Sequence, residues 1–264
     1  MKKHISVLTV FTLILILVFC GCSGGETAKD AFILYTDMNA AMKEVTSMEM
    51  DSNVKMEMTY GEENLSFDIT GTAQQIIQSE TDIDMIMEMS MDMTELGLSG
   101  MVTIHSYYLD GYMYQDIMGF RSKTKVDIET AMEQSGLNMF EFDSTAIIDS
   151  SVADVDGGKE LSFKLDGTKL TNMIQPLVES QLSGMGLAGE SSVEIGDVSY
   201  SVVIGKDSLP LKQLSNIAIK MVVEDETIDM KMDMDIAYTG FNSVESLDFP
   251  EDLADYPEGS VPTI

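Results

Sequence analysis

Tryptophan is absent from the 264 residues, histidine occurs twice and proline five times, and the only two cysteines are Cys20 and Cys22. Past Cys22 the chain can form no internal disulfide and offers no thiol nucleophile, so its stability must come from packing. His4 lies in the first few residues, so any Ser-His-Asp arrangement would have to use His105. That histidine stands in Thr103-Ile104-His105-Ser106-Tyr107, a run that reads as strand. There is no H-E-x-x-H and no phosphate loop. Acids are so many that no carboxylate pair stands out for glycoside chemistry. The expectation is a protein that is not an enzyme, with no cofactor and no metal. Cations are scarce too: 15 Lys+Arg face 45 Asp+Glu, a formal charge of −30. A chain so acidic lacks the basic footprint that nucleic acid requires, and it lacks the basic clusters that dock on anionic lipid.

One long apolar run is present. Lys2 and Lys3 precede Val7 to Phe19, interrupted only by Thr9 and Thr12. The run is short for a span of about 20 residues and small residues follow it, as in a secretory signal peptide. Phe19-Cys20-Gly21-Cys22 resembles the bacterial lipobox, with Cys22 the better lipid acceptor because Gly21 before it is small. Phe19 in place of Leu, and Cys20 inside the box, depart from the pattern. An uncleaved N-terminal anchor is the other reading. Either way the rest of the chain lies outside the cytoplasm beside a membrane. The expected division is signal peptide 1–21, lipidated tether 22–27, one domain 28–250, and a loose acidic tail 251–264. Two acyl chains on Cys22 would anchor it stably to the outer face of the bacterial cell membrane.

The tether leads to a helix over 28–45, where Ala28, Ala31, Phe32, Tyr35, Met38, Met42 and Val45 share a face. The period then changes to two. Met48, Met50, Val54, Met56, Met58 and Tyr60 alternate with Glu49, Asp51, Lys55 and Glu57, which makes a half-buried strand. Leu65, Phe67, Ile69, Ala73 and Ile77 continue after a turn, with Gly71 read as a bulge or bend. Ile83, Met85, Met87, Met89, Met91 and Met93 repeat the alternation. Asp110-Gly111 is a two-residue hairpin signal. A short helix is expected over 127–135 and a strand over 140–149. A second long helix is expected over 168–183, capped by Asp166 or Thr168 and kinked at Pro176. Strands at 198–206, 214–223 and 227–238 close the chain. In the last, Ile228, Met230, Met232, Met234, Ile236 and Tyr238 alternate with acids and lysine. Long antiparallel strands with one apolar face must curl, so the expected fold is α+β, mainly antiparallel β. It is a strongly curved half-barrel of about 10–11 strands with two or three helices in its concave face.

The 23 methionines admit three readings. Alternation alone makes them core. Their softness also suits a deformable wall for an apolar ligand. Thioethers could bind Cu(I), as the remote alternative, though a copper site usually recruits His or Cys as well. Asp154-Val155-Asp156-Gly157-Gly158 reads as a turn, because the ligand spacing of a calcium loop is missing. Gly184-Met185-Gly186-Leu187-Ala188-Gly189 fits G-x-G-x-x-G, but a helix precedes it and a strand follows, the reverse of a dinucleotide site.

Asp110-Gly111-Tyr112-Met113-Tyr114, the segment Leu161 to Leu170, and Lys206-Asp207-Ser208-Leu209-Pro210-Leu211 resemble the LolA/LppX-like lipoproteins, in particular those of Gram-positive bacteria. The resemblance spans nearly the whole chain past the signal, through individually weak motifs. It implies an incomplete barrel with helices in its mouth, holding acyl chains between sheet and helices, and no shared catalytic residue. On that footing the expected cavity wall is Met56, Met58, Met87, Met89, Met230, Met232 and Met234, with Phe32, Tyr35 and Met173 as lids. The expected function is binding or carrying a hydrophobic ligand, with a ligand-free interaction or sensor module as the alternative.

Overall fold

A computed structural model describes residues 26–61, 63–79, 82–94, 100–126, 145–171, 191–223 and 226–259. One helix, α1 (Glu26–Met42), precedes twelve strands. The first six are β1 (Ser47–Tyr60), β2 (Glu63–Ser79), β3 (Asp82–Asp92), β4 (Met101–Leu109), β5 (Tyr112–Ile117) and β6 (Phe120–Lys125). The others are β7 (Ile147–Val155), β8 (Gly158–Leu165), β9 (Ser191–Ile195), β10 (Val198–Ile204), β11 (Pro210–Val223) and β12 (Glu226–Phe241). All belong to one curved antiparallel sheet in the order β6-β5-β4-β3-β2-β1-β12-β11-β10-β8-β7, with β9 also on β11.

Two meanders run outward from a central pair. The pair joins the first strand to the last, with Met56 opposite Met232 and Met58 opposite Met230. Their alternation puts apolar side chains of both strands on one face, where Met56, Met58, Met230 and Met232 enter the main core. β9 and β10 act as one interrupted strand along β11. Ile195 faces Ile219, Ser199 faces Asn216, and the Gly196 N–H donates to the Ala218 carbonyl across the break at 2.8 Å.

Helix α1 buries Ala31, Tyr35, Met38 and Met42, the face that the 3.6-residue period predicts. It stops at Met42 rather than Val45. Glu44 and Val45 donate to carbonyls three residues back, the tightened turn that ends many helices. It lies against β7 and β8. The Asp110-Gly111 hairpin forms with both residues at positive φ, 53° and 76°, as such a turn requires. Residues 167–171 begin the second expected helix, and Asp166 caps it by accepting the Thr168 N–H at 3.0 Å.

The structure departs from several expectations. Among the described residues twelve strands replace about ten or eleven, and α1 is the one long helix, against two or three expected, with only the first turn of the second at residues 167–171. The strand expected over 140–149 is β7, beginning at Ile147. Gly71 is not a bulge, because both its ladders pass through it in register. A Cβ there would stand 2.7 Å from Ser52 Oγ, so the glycine answers a close approach of neighbouring side chains. The tail is not loose over 251–259. Leu253 of its 3-10 turn, Leu253–Asp255, and Tyr256 are buried against Tyr114 on the face opposite α1. Tyr256 meets the Tyr114 ring edge-on, with centroids 5.9 Å apart. Lys123 on the β6 edge donates its N–H to the Pro257 carbonyl at 2.8 Å and accepts from the Gly259 N–H at 3.1 Å. The tail thereby covers an edge that would otherwise be open to pairing. The expected helix over 127–135, the body of the second helix with Pro176, the 184–189 glycines and the last five residues lie outside the described residues.

Candidate functional site

A cleft of about 790 Å³ crosses the middle of seven strands, and each lends it three consecutive residues. Seven strands can border one space because the sheet is curved. The middle member of every triplet falls on a single register row: Ile69, Val54, Met234, Ser215, Tyr200, Phe163 and Ser150. Alternation turns that row toward the core and turns the flanking members the other way. The flanking members are polar apart from Leu214.

Helix α1 closes one end of the row. Its Tyr35 ring meets Phe163 and Tyr200 edge-on, with centroids 5.7 and 6.3 Å apart, while Phe163 and Tyr200 lie 6.0 Å apart. Such pairs add roughly 0.5–1.5 kcal/mol each beyond the area they bury. Burial pushes the Tyr200 hydroxyl well above its ordinary pKa, and burial pushes Tyr238, four residues past Met234 on β12, up to about 12. The Tyr238 hydroxyl donates to Gln213 Oε1 at 3.2 Å.

Two hydroxyls of the row are buried and make no hydrogen bond among the described residues, Ser150 Oγ and Ser215 Oγ. Leaving such a group unpaired costs about 1–3 kcal/mol. On the flanks, the Glu57 carboxylate 3.1 Å from Lys55 holds that ammonium above its ordinary pKa, and Asp68 and Asp233 add to the effect. Lys164 pairs with Asp197 at 2.9 Å, which holds the Asp197 carboxyl below its ordinary range.

The residues expected to form a cavity meet different fates. Met56, Met58, Met230 and Met232 are 2–3% exposed, belong to the packed core and do not border the cleft; Met234 borders it. Met87 and Met89 are partly buried on β3, beyond the cleft. Tyr35 is packed rather than free as a lid, and Phe32 is partly buried against the same core. Met173 and Cys22 lie outside the described residues. The residues missed by the sequence reading are Tyr200, Phe163 and the two serines. A serine at a core-facing position in an otherwise apolar alternation, as in Gln213-x-Ser215-x-Ile217-x-Ile219, is the signal that marks such a place. Among the described residues no three of His, Cys, Asp and Glu come together as a metal site, and no helix is long and apolar enough to cross a membrane.

A family model described as a family of unknown function, DUF6612, matches residues 30–257, and the chain belongs to that family. No curated protein matches it. Among solved structures it is similar to LprF from Mycobacterium bovis, at 11% identity over 86% of this chain and 99% of that one, with a TM-score of 0.45. It is similar to the lipoprotein LppX of Mycobacterium tuberculosis, at 10% identity over 83% and 99%, with a TM-score of 0.36. A LolA-superfamily protein from Nitrosomonas europaea follows, at 7% identity over 83% and 96%, with a TM-score of 0.24. These are the groups that the sequence motifs resemble. Likeness this distant carries no activity from those proteins to this one.

Proposed function

We propose that this DUF6612 chain is an extracytoplasmic lipoprotein, anchored to the outer face of the bacterial membrane through Cys22, that binds an apolar or amphiphilic ligand in the cleft beside α1. The cleft carries the reading. Its volume of about 790 Å³ lies within the range of ligand sites, roughly 300–1,000 Å³. Val54, Ile69, Phe163, Tyr200 and Met234 give it an apolar row. An alkyl chain seated on that row gains about 0.8 kcal/mol per buried CH₂. The unpaired Ser150 and Ser215 hydroxyls and the polar flanks suit a ligand that also carries oxygen, such as an acyl ester, better than a bare hydrocarbon.

A second reading, a ligand-free interaction module, is favoured by one observation: the central methionines are packed core and not an open wall. A native mass spectrum of residues 25–264 separates the two. A discrete added mass, released as lipid on denaturation, supports the carrier. A bare protein that also takes up no added fatty acid or monoacylglycerol supports the module. The anchor has its own test. Cys22→Ala should release the chain into the medium, and continued retention in the membrane fraction would refute lipidation at that residue.

A further inference from the structure

The strands give the molecule two ends. β1 runs from the lower end to the upper. Antiparallel pairing then places the β3–β4 connection, the β5–β6 turn and the start of β7 at the upper end. Helix α1 runs the opposite way. Its Met42 packs near Met48 at the lower end, and its Tyr35 meets the middle row, so its N-terminus points to the upper end.

Exposed apolar side chains are not spread evenly over these ends. Among the described residues the five most exposed large ones are Met118 at 61%, Met101 at 59%, Phe120 at 53%, Ile148 at 52% and Ile33 at 49%. The first four stand at the upper end, and Ile33 is in the upper half of α1. Val155, Leu211 and Leu214, lower in the sheet, reach only 36–40%. Met118 and Phe120 flank Gly119 at the β5–β6 turn, and Met118 holds φ at 56°, where Asn, Asp or Gly are the usual residues. A strained methionine pointing into water needs another reason than folding.

The hairpin stem is braced. The Gly119 N–H donates to Asp116 Oδ1 at 2.8 Å, Arg121 Nε donates to Asp116 Oδ2 at 2.9 Å, and the Arg121 guanidinium lies 5.0 Å from the Tyr256 ring centre. The tip is therefore presented on a rigid stem.

We infer that the upper end faces the bilayer, with Met118, Phe120 and Met101 inserted among the lipids of the outer leaflet. The inference rests on the proposed anchor. Cys22 lies four residues before Glu26, so at about 3.5 Å per residue the lipid sits within about 14 Å of the start of α1. That start belongs to the upper end, on the β7 side of the sheet, whereas the hairpin stands at the β6 side. Anchor and hairpin thus give two footholds at opposite edges. The occupant is fluid acyl chain rather than an anionic headgroup, because the chain is too acidic to be drawn to negative charge.

The absence of tryptophan supplies the test. The full lipidated chain carrying Phe120→Trp, reconstituted into phosphatidylcholine vesicles with brominated acyl chains, should show blue-shifted emission and lose most of it to bromine. The same chain carrying Val155→Trp instead should keep its emission. A Phe120→Trp chain that floats with the vesicles but is no more quenched than Val155→Trp overturns the insertion and leaves the anchor standing. A chain that does not float overturns both. Met118→Asp in the Phe120→Trp background should reduce the quenching several-fold, and unchanged quenching would count against a tip that enters as a unit.

Discussion

The methionines of β1 and β12 and those of β3 obey the same alternation and end differently. Met56, Met58, Met230 and Met232 are 2–3% exposed, whereas on β3 Met85, Met87 and Met89 are only partly buried and Met91 alone, at 4%, reaches the core. Each group alternates with acids, so local pattern cannot tell them apart. Place in the sheet can. β1 and β12 are its central pair, and β3 lies two strands away, on the side opposite the β7 and β8 strands that α1 covers. Alternation fixes which face a side chain takes, and strand order together with height along the strand fixes how deep it lies, as Met91 beside Ile69 shows on β3 itself.

The sharpest way to break this comparison is to remove one side chain from each group. Met232→Ala or Met56→Ala should cost about 2–5 kcal/mol, the usual range for a fully buried methionine. Met87→Ala should cost under about 1 kcal/mol. Urea midpoints of the three variants measure the difference. Equal costs would mean that β3 is as deeply covered as the centre.

The same distinction sets what was legible in the sequence. The α1 face, the strands with alternating methionine and the Asp110-Gly111 hairpin follow from periods of 3.6 and 2 and from turn chemistry, all of them local. The cleft does not, because its row joins Ile69 to Ser150 through strands that the chain visits in another order. Of the nine described residues among the ten expected to border a cavity, Met234 alone borders the cleft. The bulge expected at Gly71 is absent, because a strand glycine marks either a bulge or a close approach and only its neighbours decide which. The tail was misread from its acids and prolines. Composition does not reveal that an open β6 edge and an aromatic patch at Tyr107, Tyr112 and Tyr114 await Phe249 and Tyr256.

That aromatic patch gives the next largest effect. Tyr256 is 3% exposed, so Tyr256→Ala should cost about 2–4 kcal/mol of tail docking. The Lys123 amide, which donates to Pro257, should then exchange its hydrogen much faster, while the β1 amides should barely change. Loss of protection across the whole sheet would show that the patch is a second structural centre and not an appended edge cover.

A pH series sharpens the contrast between buried and open ends of the core face. Burial raises the Tyr238 hydroxyl to about 12, from a value near 10 when unfolded. The neutral form is the one that fits the fold. Its contribution is therefore complete below pH 10 and is lost as the pH climbs toward 12. Tyr238→Phe should flatten that alkaline fall. It should cost little at neutral pH beyond the hydrogen bond to Gln213, about 1 kcal/mol. Unfolding midpoints between pH 8 and 12 check it, and an unchanged slope would mean that Tyr238 reaches water.

The smallest effect tests the meeting of the two regions at Gly71, which pairs with Ser52 of β1 and Met89 of β3. Gly71→Ala should cost about 1–2 kcal/mol, since its Cβ would crowd Ser52 Oγ at 2.7 Å and the Glu88 carbonyl at 3.3 Å. The serine oxygen can turn away, giving up its 3.3 Å bond to the Gly71 carbonyl, whereas the carbonyl is fixed in the ladder. Adding Ser52→Ala should recover roughly half of the loss in a double-mutant cycle. Full recovery would mean that the side-chain contact alone demands glycine. No recovery would place the demand on the β2–β3 backbone, and β3 would then be held at its distance from the core by the ladder rather than by packing.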